Sequence, residues 1–63
     1  MYTILIFNES SMKRERKNFK TQEKADAYYE SRKSKVTTLF PPKEKWFSYR
    51  NDWGNTIMVQ KMY

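Results

Sequence analysis

The chain has 63 residues, and its 13 Lys and Arg against 7 Asp and Glu give a formal net charge of +6 at pH 7. It contains no cysteine and no histidine, which excludes disulfides, the common structural zinc sites and catalysis by an imidazole base or a thiolate. We expect one domain, residues 1–63, which buries only about 60% of the surface of its unfolded chain. A domain this small is marginally stable, so a partner or dimerisation is expected to support it.

The first predicted strand covers residues 2–7, where β-branched and aromatic residues are concentrated, and both of its faces are expected to be covered. The turn composition of residues 8–11 then predicts a hairpin. Residues 12–19 alternate between two faces as the second strand, and five cations fall within residues 12–20. Lys and Arg on an edge strand protect a sheet against aggregation. This strand is therefore predicted at the edge of the sheet.

A helix is predicted over residues 22–34. Thr21 is a good N-cap, and Glu23 lies in the first turn, where the helix dipole favours an anion. One helical face is formed by residues at i, i+3, i+4 and i+7, namely Ala25, Tyr28, Tyr29 and Arg32. This face is expected to pack against the sheet.

Residues 36–40 are typical of a short strand or an extended connector, which must stop at Pro41-Pro42 because proline donates no amide hydrogen. Residues 45–50 and 55–63 predict a second hairpin, in which Gly54 supplies a positive φ. The predicted fold class is α+β, a small antiparallel sheet with one helix packed on one face, in β-β-α-β-β order. The expected core residues include Phe7, Phe19, Tyr28, Phe47 and Ile57.

The basic charge of the chain, with aromatic rings between the cations, indicates binding to nucleic acid, because clustered cations release condensed counterions when they neutralise phosphates. The candidate nucleic-acid-binding residues are Lys13, Arg14, Arg16, Lys17, Lys20, Arg32, Lys33, Lys35, Lys45 and Arg50. Those of the second strand are explained equally well by edge protection. For the cations at the helix end, complementing the helix dipole is the favoured explanation.

Two tryptophans are candidate aromatic anchors. Strand alternation places Trp46, Ser48 and Arg50 on one face and Phe47 and Tyr49 on the other, so one set can form core while the other remains open. Trp53 falls at a loop tip and is the ring least expected to be buried. Each tryptophan could stack on a base or anchor a protein contact.

An enzyme is not predicted. The acidic residues are scattered, mostly beside cations, and the single Gly54 cannot form a glycine-rich phosphate loop. No catalytic residue, metal or cofactor is expected. The longest apolar run, residues 4–7, is too short to span a membrane, and no secretory leader pattern opens the chain. We therefore expect a cytoplasmic protein without a membrane partner.

Two segments are typical of a family of small proteins. They are the first strand, Met-Tyr-Thr-Ile-Leu-Ile-Phe at residues 1–7, and the helix with its approach, Phe-Lys-Thr-Gln-Glu-Lys-Ala-Asp-Ala-Tyr-Tyr at residues 19–29. In size and pattern the chain resembles the small accessory proteins of T-even-like bacteriophages, among them the inhibitor of the endoribonuclease of type III toxin–antitoxin systems. The resemblance implies a counter-defence protein in the host cytoplasm that contacts a host toxin and RNA. No functional residue of this chain is assigned from the resemblance.

The primary functional hypothesis is a non-enzymatic module that binds RNA or other nucleic acid and inhibits a host nuclease or toxin. The alternative is an inhibitor that binds an acidic patch of a host protein without nucleic acid. A third hypothesis is a purely structural subunit, in which the basic strand is buried at a dimer contact. A homodimer is expected, although repulsion opposes direct pairing of two cationic strands.

Overall fold

The structure, a computed structural model, describes residues 1–39 and 43–63. Its elements are β1 (Tyr2–Asn8), β2 (Lys13–Phe19), α1 (Gln22–Ser34), β3 (Trp46–Arg50) and β4 (Thr56–Lys61). The strands form one antiparallel sheet in the order β2-β1-β4-β3, and α1 packs against one of its faces. The predicted fold class and the β-β-α-β-β order are confirmed.

The turn between β1 and β2 is built around the side chain of Asn8. Its amide oxygen accepts hydrogen bonds from the backbone N–H groups of Ser10, at 3.0 Å, and Ser11, at 3.2 Å. Met12 has a φ of 60°, a left-handed conformation that a strand cannot contain. β2 therefore begins at Lys13, one residue later than predicted, and it pairs with β1 alone at the edge of the sheet.

Helix α1 begins and ends where the sequence predicts. The hydroxyl of Thr21 accepts the backbone N–H of Lys24 at 3.3 Å, which confirms the N-cap. At the other end, the N–H of Lys35 donates to the carbonyl of Arg32. Ala25 and Tyr29 are buried on the predicted face.

The core lies between α1 and the sheet face that it covers. The buried apolar residues are Ile4, Ala25, Tyr29, Phe47, Tyr49, Ile57 and Val59. The Tyr29 and Phe47 rings meet edge to face, with their centroids 5.2 Å apart. Phe19 packs against this core and contacts Tyr28, at 5.3 Å between ring centroids. The predicted core positions at Phe47 and Ile57 are confirmed.

The prediction that Phe7 is a core residue is wrong, and β1 is fully buried only at Ile4, with its other residues on both faces half-buried. Side chains alternate along a strand, and Ile4 points toward α1. Phe7 therefore points away from the helix, where its neighbours across the sheet are Arg14 and Met58. The odd-numbered face of β1 is only half-buried.

The second hairpin joins β3 to β4, and Gly54 has the expected positive φ, 80°. Of the segment predicted as a strand or a connector, residues 36–39 form an extended connector: Thr38 makes an isolated bridge to Tyr49, and the Leu39 N–H donates to the carbonyl of Ser48 at 2.9 Å. Phe40 and Pro41-Pro42 lie outside the described residues. Within the described ranges, no helix is long and apolar enough to cross a membrane.

Candidate nucleic-acid interface

The face of the sheet opposite α1 is exposed or half-buried except at Ser48, which is buried, and we call it the open face. The strand registers define its members, because directly paired residues point to the same side. They are Thr3, Leu5, Phe7, Arg14, Arg16, Asn18, Trp46, Ser48, Arg50, Thr56, Met58 and Gln60. The predicted alternation of β3, with Trp46 and Arg50 on one face and Phe47 and Tyr49 on the other, is confirmed.

Three arginines give the open face its charge. Arg14 and Arg16 lie on the edge strand β2, and Arg50 lies at the end of β3 on the opposite edge. All three are exposed. Among the described strands, this face carries no acidic residue. The three guanidinium groups therefore have no acidic side chain beside them on this face of the described strands.

An apolar strip runs across the open face from β1 to the edge strand β3. Its half-exposed members are Leu5, Phe7, Trp46 and Met58. The register aligns Arg16, Leu5, Gln60 and Trp46 in one row across the sheet. Three inter-strand spacings separate the ends of this row, about 14 Å between Cα atoms.

The second row contains Arg14, Phe7, Met58 and Ser48. The guanidinium carbon of Arg14 lies 5.5 Å from the centroid of the Phe7 ring, within cation–π distance. The sequence prediction missed Phe7 as a residue of this surface. The signal that would have identified Phe7 is its pairing with Arg14 across the hairpin, and only the strand register shows this pairing.

The structure places other predicted cations elsewhere. Lys13 and Lys17 point to the helix side of β2, opposite to Arg14 and Arg16. Lys17 forms an ion pair with Glu15 at 2.8 Å. This hydrogen-bonded contact, and the charge of Lys17, hold the pKa of Glu15 below its ordinary value. The structure therefore divides the basic strand into an arginine face and a mainly lysine face.

The cations at the helix end are also divided. Lys33 pairs with Glu30 at 3.1 Å, which leaves little net charge at that pair. Arg32 is half-buried, and its Nη2 atom donates a hydrogen bond to the Tyr49 hydroxyl at 2.9 Å. Arg32 thereby lies over the helix side of the sheet, where Lys13 and Glu15 line the same groove.

The remaining predicted site residues lie outside the strands. Lys20, Lys35 and Lys45 are exposed in connecting segments. Trp53 lies at the tip of the second hairpin, and 87% of its surface is exposed, so the expectation that it is not buried is confirmed. The structure therefore groups Trp46 with the arginines of the open face and leaves Trp53 apart from them in the β3–β4 loop.

In the described part of the chain, no three potential metal ligands form a group. Five of the carboxylates, those of Glu9, Glu23, Glu30, Glu44 and Asp52, are on exposed residues of the helix or loops. No protein-family model, no curated protein and no solved structure matches the chain.

Proposed function

We propose that this protein is a non-enzymatic RNA-binding module and that the open face is its binding surface. The observation that supports the proposal is the combination on one sheet face of Arg14, Arg16 and Arg50 with half-exposed Phe7 and Trp46. Phosphates are bound by the guanidinium groups, which can donate two parallel hydrogen bonds. The apolar strip offers ring faces to unpaired bases.

Charge and stacking have different tasks in this mechanism. The arginines attract the strand from a distance and make its affinity depend on salt, since each neutralised phosphate releases counterions. The rings contribute about 1–3 kcal/mol for each stacked base, with little sequence preference. Bound RNA is thus held along the rows of the sheet, and no bond of the RNA is broken.

The resemblance to phage accessory proteins suggests what this binding achieves. We propose that the protein acts in the host cytoplasm and inhibits a host endoribonuclease toxin by competing for the RNA or the RNA-facing surface that the toxin uses. This biological role rests on the resemblance alone, whereas RNA binding rests on the open face.

A protein-interaction inhibitor is the second candidate, and the exposure of Trp53 favours it. A tryptophan at a hairpin tip is a typical anchor for a pocket on a partner protein. Pull-down from nuclease-treated host extract compares the wild-type chain with Trp53→Ala. Retention of one host protein, lost in Trp53→Ala and kept in Arg14→Ala/Arg16→Ala, supports this candidate over RNA binding.

The direct test measures binding of a labelled single-stranded RNA by fluorescence anisotropy over about 50 to 200 mM salt. The variant Arg14→Ala/Arg16→Ala removes two cations from the open face. The control variant Lys24→Ala/Lys43→Ala removes two exposed cations that lie on α1 and in a connector. Both variants have the same net charge, so only the position of the charge differs.

We expect the arginine variant to bind at least about tenfold more weakly and its salt dependence to fall by about 1.4 in log–log slope, about 0.7 for each lost phosphate contact. The lysine variant is expected to lose much less. Equal losses would mean that net charge, and not the open face, determines affinity. Absence of RNA binding by the wild-type chain would refute the proposal.

A further inference from the structure

A groove of about 460 Å³ lies on the helix side of the sheet, and Arg14, assigned above to the open face, also adjoins it. It adjoins Arg32 in the last turn of α1, Asn8 at the end of β1 and Asn51 directly after β3. Ile6 and Ile57 supply its apolar lining. Its size is within the range of small-molecule sites, about 300–1,000 Å³.

Two of the residues that line this groove are asparagines whose side-chain oxygens already accept hydrogen bonds. The amide oxygen of Asn8 accepts the N–H groups of Ser10 and Ser11. The amide oxygen of Asn51 likewise accepts those of Trp53, at 3.0 Å, and Asn55, at 2.9 Å. Because each oxygen is occupied by its own turn, the NH₂ group of each asparagine is left to donate.

Arg32 is one of the cationic residues that line the groove. Its Nη2 atom is oriented by the Tyr49 hydroxyl, and its Nε atom is buried without a partner among the described residues. A buried donor on a charged group is costly unless an acceptor reaches it. Glu15 is the acidic residue of the lining, but its carboxylate already pairs with Lys17 at 2.8 Å. Glu15 therefore offsets part of the positive charge of Arg32, but no described residue accepts a hydrogen bond from the Arg32 Nε atom.

We propose that this groove binds a phosphate monoester, with the phosphate held by Arg32, Lys13 and the amide groups of Asn8 and Asn51. The donors come from the helix end, the β1–β2 hairpin and the β3–β4 loop, so they approach from several directions. That arrangement suits a tetrahedral phosphate better than a planar carboxylate, and the guanidinium fork fits two phosphate oxygens. The monoester belongs either to a free nucleotide or to the 5′-phosphate of a nucleic-acid strand.

The test follows the protein by two-dimensional ¹H–¹⁵N NMR during titration with inorganic phosphate, a nucleoside 5′-monophosphate and acetate. Binding in the groove moves the side-chain amide signals of Asn8 and Asn51 and the Nε–H signal of Arg32. We expect the nucleotide affinity to fall at least about tenfold in Arg32→Gln. This is the change in affinity that corresponds to the loss of one hydrogen bond between charged groups. The control variant Lys33→Gln removes the neighbouring cation, which pairs with Glu30 outside the groove.

Lys13→Gln is a second variant, chosen because Lys13 is exposed and its loss does not disturb the core. It is expected to weaken nucleotide binding while the backbone spectrum remains that of the folded protein. If acetate moves the same signals as strongly as phosphate, or if no ligand moves them, the inference is wrong. An equal effect of Arg32→Gln and Lys33→Gln on affinity also contradicts it.

Two oligonucleotides of one sequence, with a 5′-phosphate or a 5′-hydroxyl, distinguish the sources of the monoester. Tighter binding of the phosphorylated strand, abolished by Arg32→Gln, identifies a strand end. Equal binding of both strands, with nucleotide binding retained, identifies a free nucleotide. If neither strand binds but the nucleotide does, the proposed RNA-binding function fails and the groove proposal stands.

Discussion

Trp46 and Phe47 are neighbours on β3 that point to opposite faces of the sheet, so replacing each with alanine separates folding from binding. Phe47 is 1% exposed and packs against Tyr29 and Tyr49. Trp46 is half-buried on the open face, and it is not part of the core. We expect Phe47→Ala to remove stability and Trp46→Ala to remove RNA affinity.

The magnitudes differ enough to be measured. Truncating a buried phenylalanine costs about 3–5 kcal/mol, whereas the whole domain is expected to have only about 3–9 kcal/mol of stability. Phe47→Ala is therefore largely unfolded or close to it. Trp46→Ala loses about 1 kcal/mol of stability, roughly half the value for a fully buried large side chain. The same change removes about 1–3 kcal/mol of base stacking, at least about fivefold in RNA affinity.

Urea denaturation followed by far-UV circular dichroism measures stability without relying on the tryptophan that is replaced. With a slope of about 1 kcal/mol/M, the midpoint of Phe47→Ala is expected about 3 M or more below wild type, and that of Trp46→Ala about 1 M below. RNA affinity is measured by anisotropy on the folded variants. Equal destabilisation by both changes would refute the assignment of the two faces, and unchanged RNA affinity in folded Trp46→Ala would refute stacking on this ring.

Thr21→Ala is expected to lower the free energy of unfolding by about 1 kcal/mol because the N-cap hydrogen bond is lost. Thr21→Ser is the control that retains this bond, and equal urea midpoints for both variants would contradict the prediction. Gly54→Ala is expected to lower it by about 1 kcal/mol through its positive φ alone, since no atom lies within 4 Å of an added Cβ; an unchanged thermal midpoint would exclude that strain. The hydrogen bond from the Tyr63 hydroxyl, together with Lys61, holds the pKa of Asp26 below 3.8. This contribution to stability is present above that pH and disappears as pH falls through the lowered pKa, so Tyr63→Phe is expected to flatten the acid side of the stability profile, measured by urea midpoints from about pH 2 to 6.

The helix and the two hairpins could be predicted because their signals are local. Thr21 is followed by a helical repeat of apolar positions, and Gly54 falls between two strand-like runs. The error at Phe7 has a different origin. An apolar run such as residues 4–7 predicts a strand but does not show which face the helix covers. That choice depends on Ile4 joining one buried cluster with residues far along the chain, such as Tyr29 and Val59.

The sequence indicates which residue types form the candidate surfaces, but it does not show which of these residues come together in the fold. The sequence identifies the cations of residues 13–20 as one group, and alternation already divides them in two. Only the strand register shows that Arg16 shares a row with Trp46, across Leu5 and Gln60, and that Arg14 and Arg50 lie on the same face. The groove donors escaped prediction because Asn8 and Asn51 are turn residues by type. In the proposed site their NH₂ groups donate to the ligand, because their oxygens already accept backbone N–H groups of the same turns.

The position of β2 makes RNA binding and dimerisation competing uses of one edge. At Ser48 and Tyr49 the edge of β3 is already occupied by Thr38 and Leu39, so β2 presents the longer open edge in the described part of the chain. Pairing two copies of β2 antiparallel brings like charges opposite one another, which destabilises the pair. The phosphates of an RNA strand that crosses this edge along the rows of the sheet are attracted by those charges instead. The predicted homodimer, if it uses β2, is therefore favoured by high salt, and RNA binding is favoured by low salt.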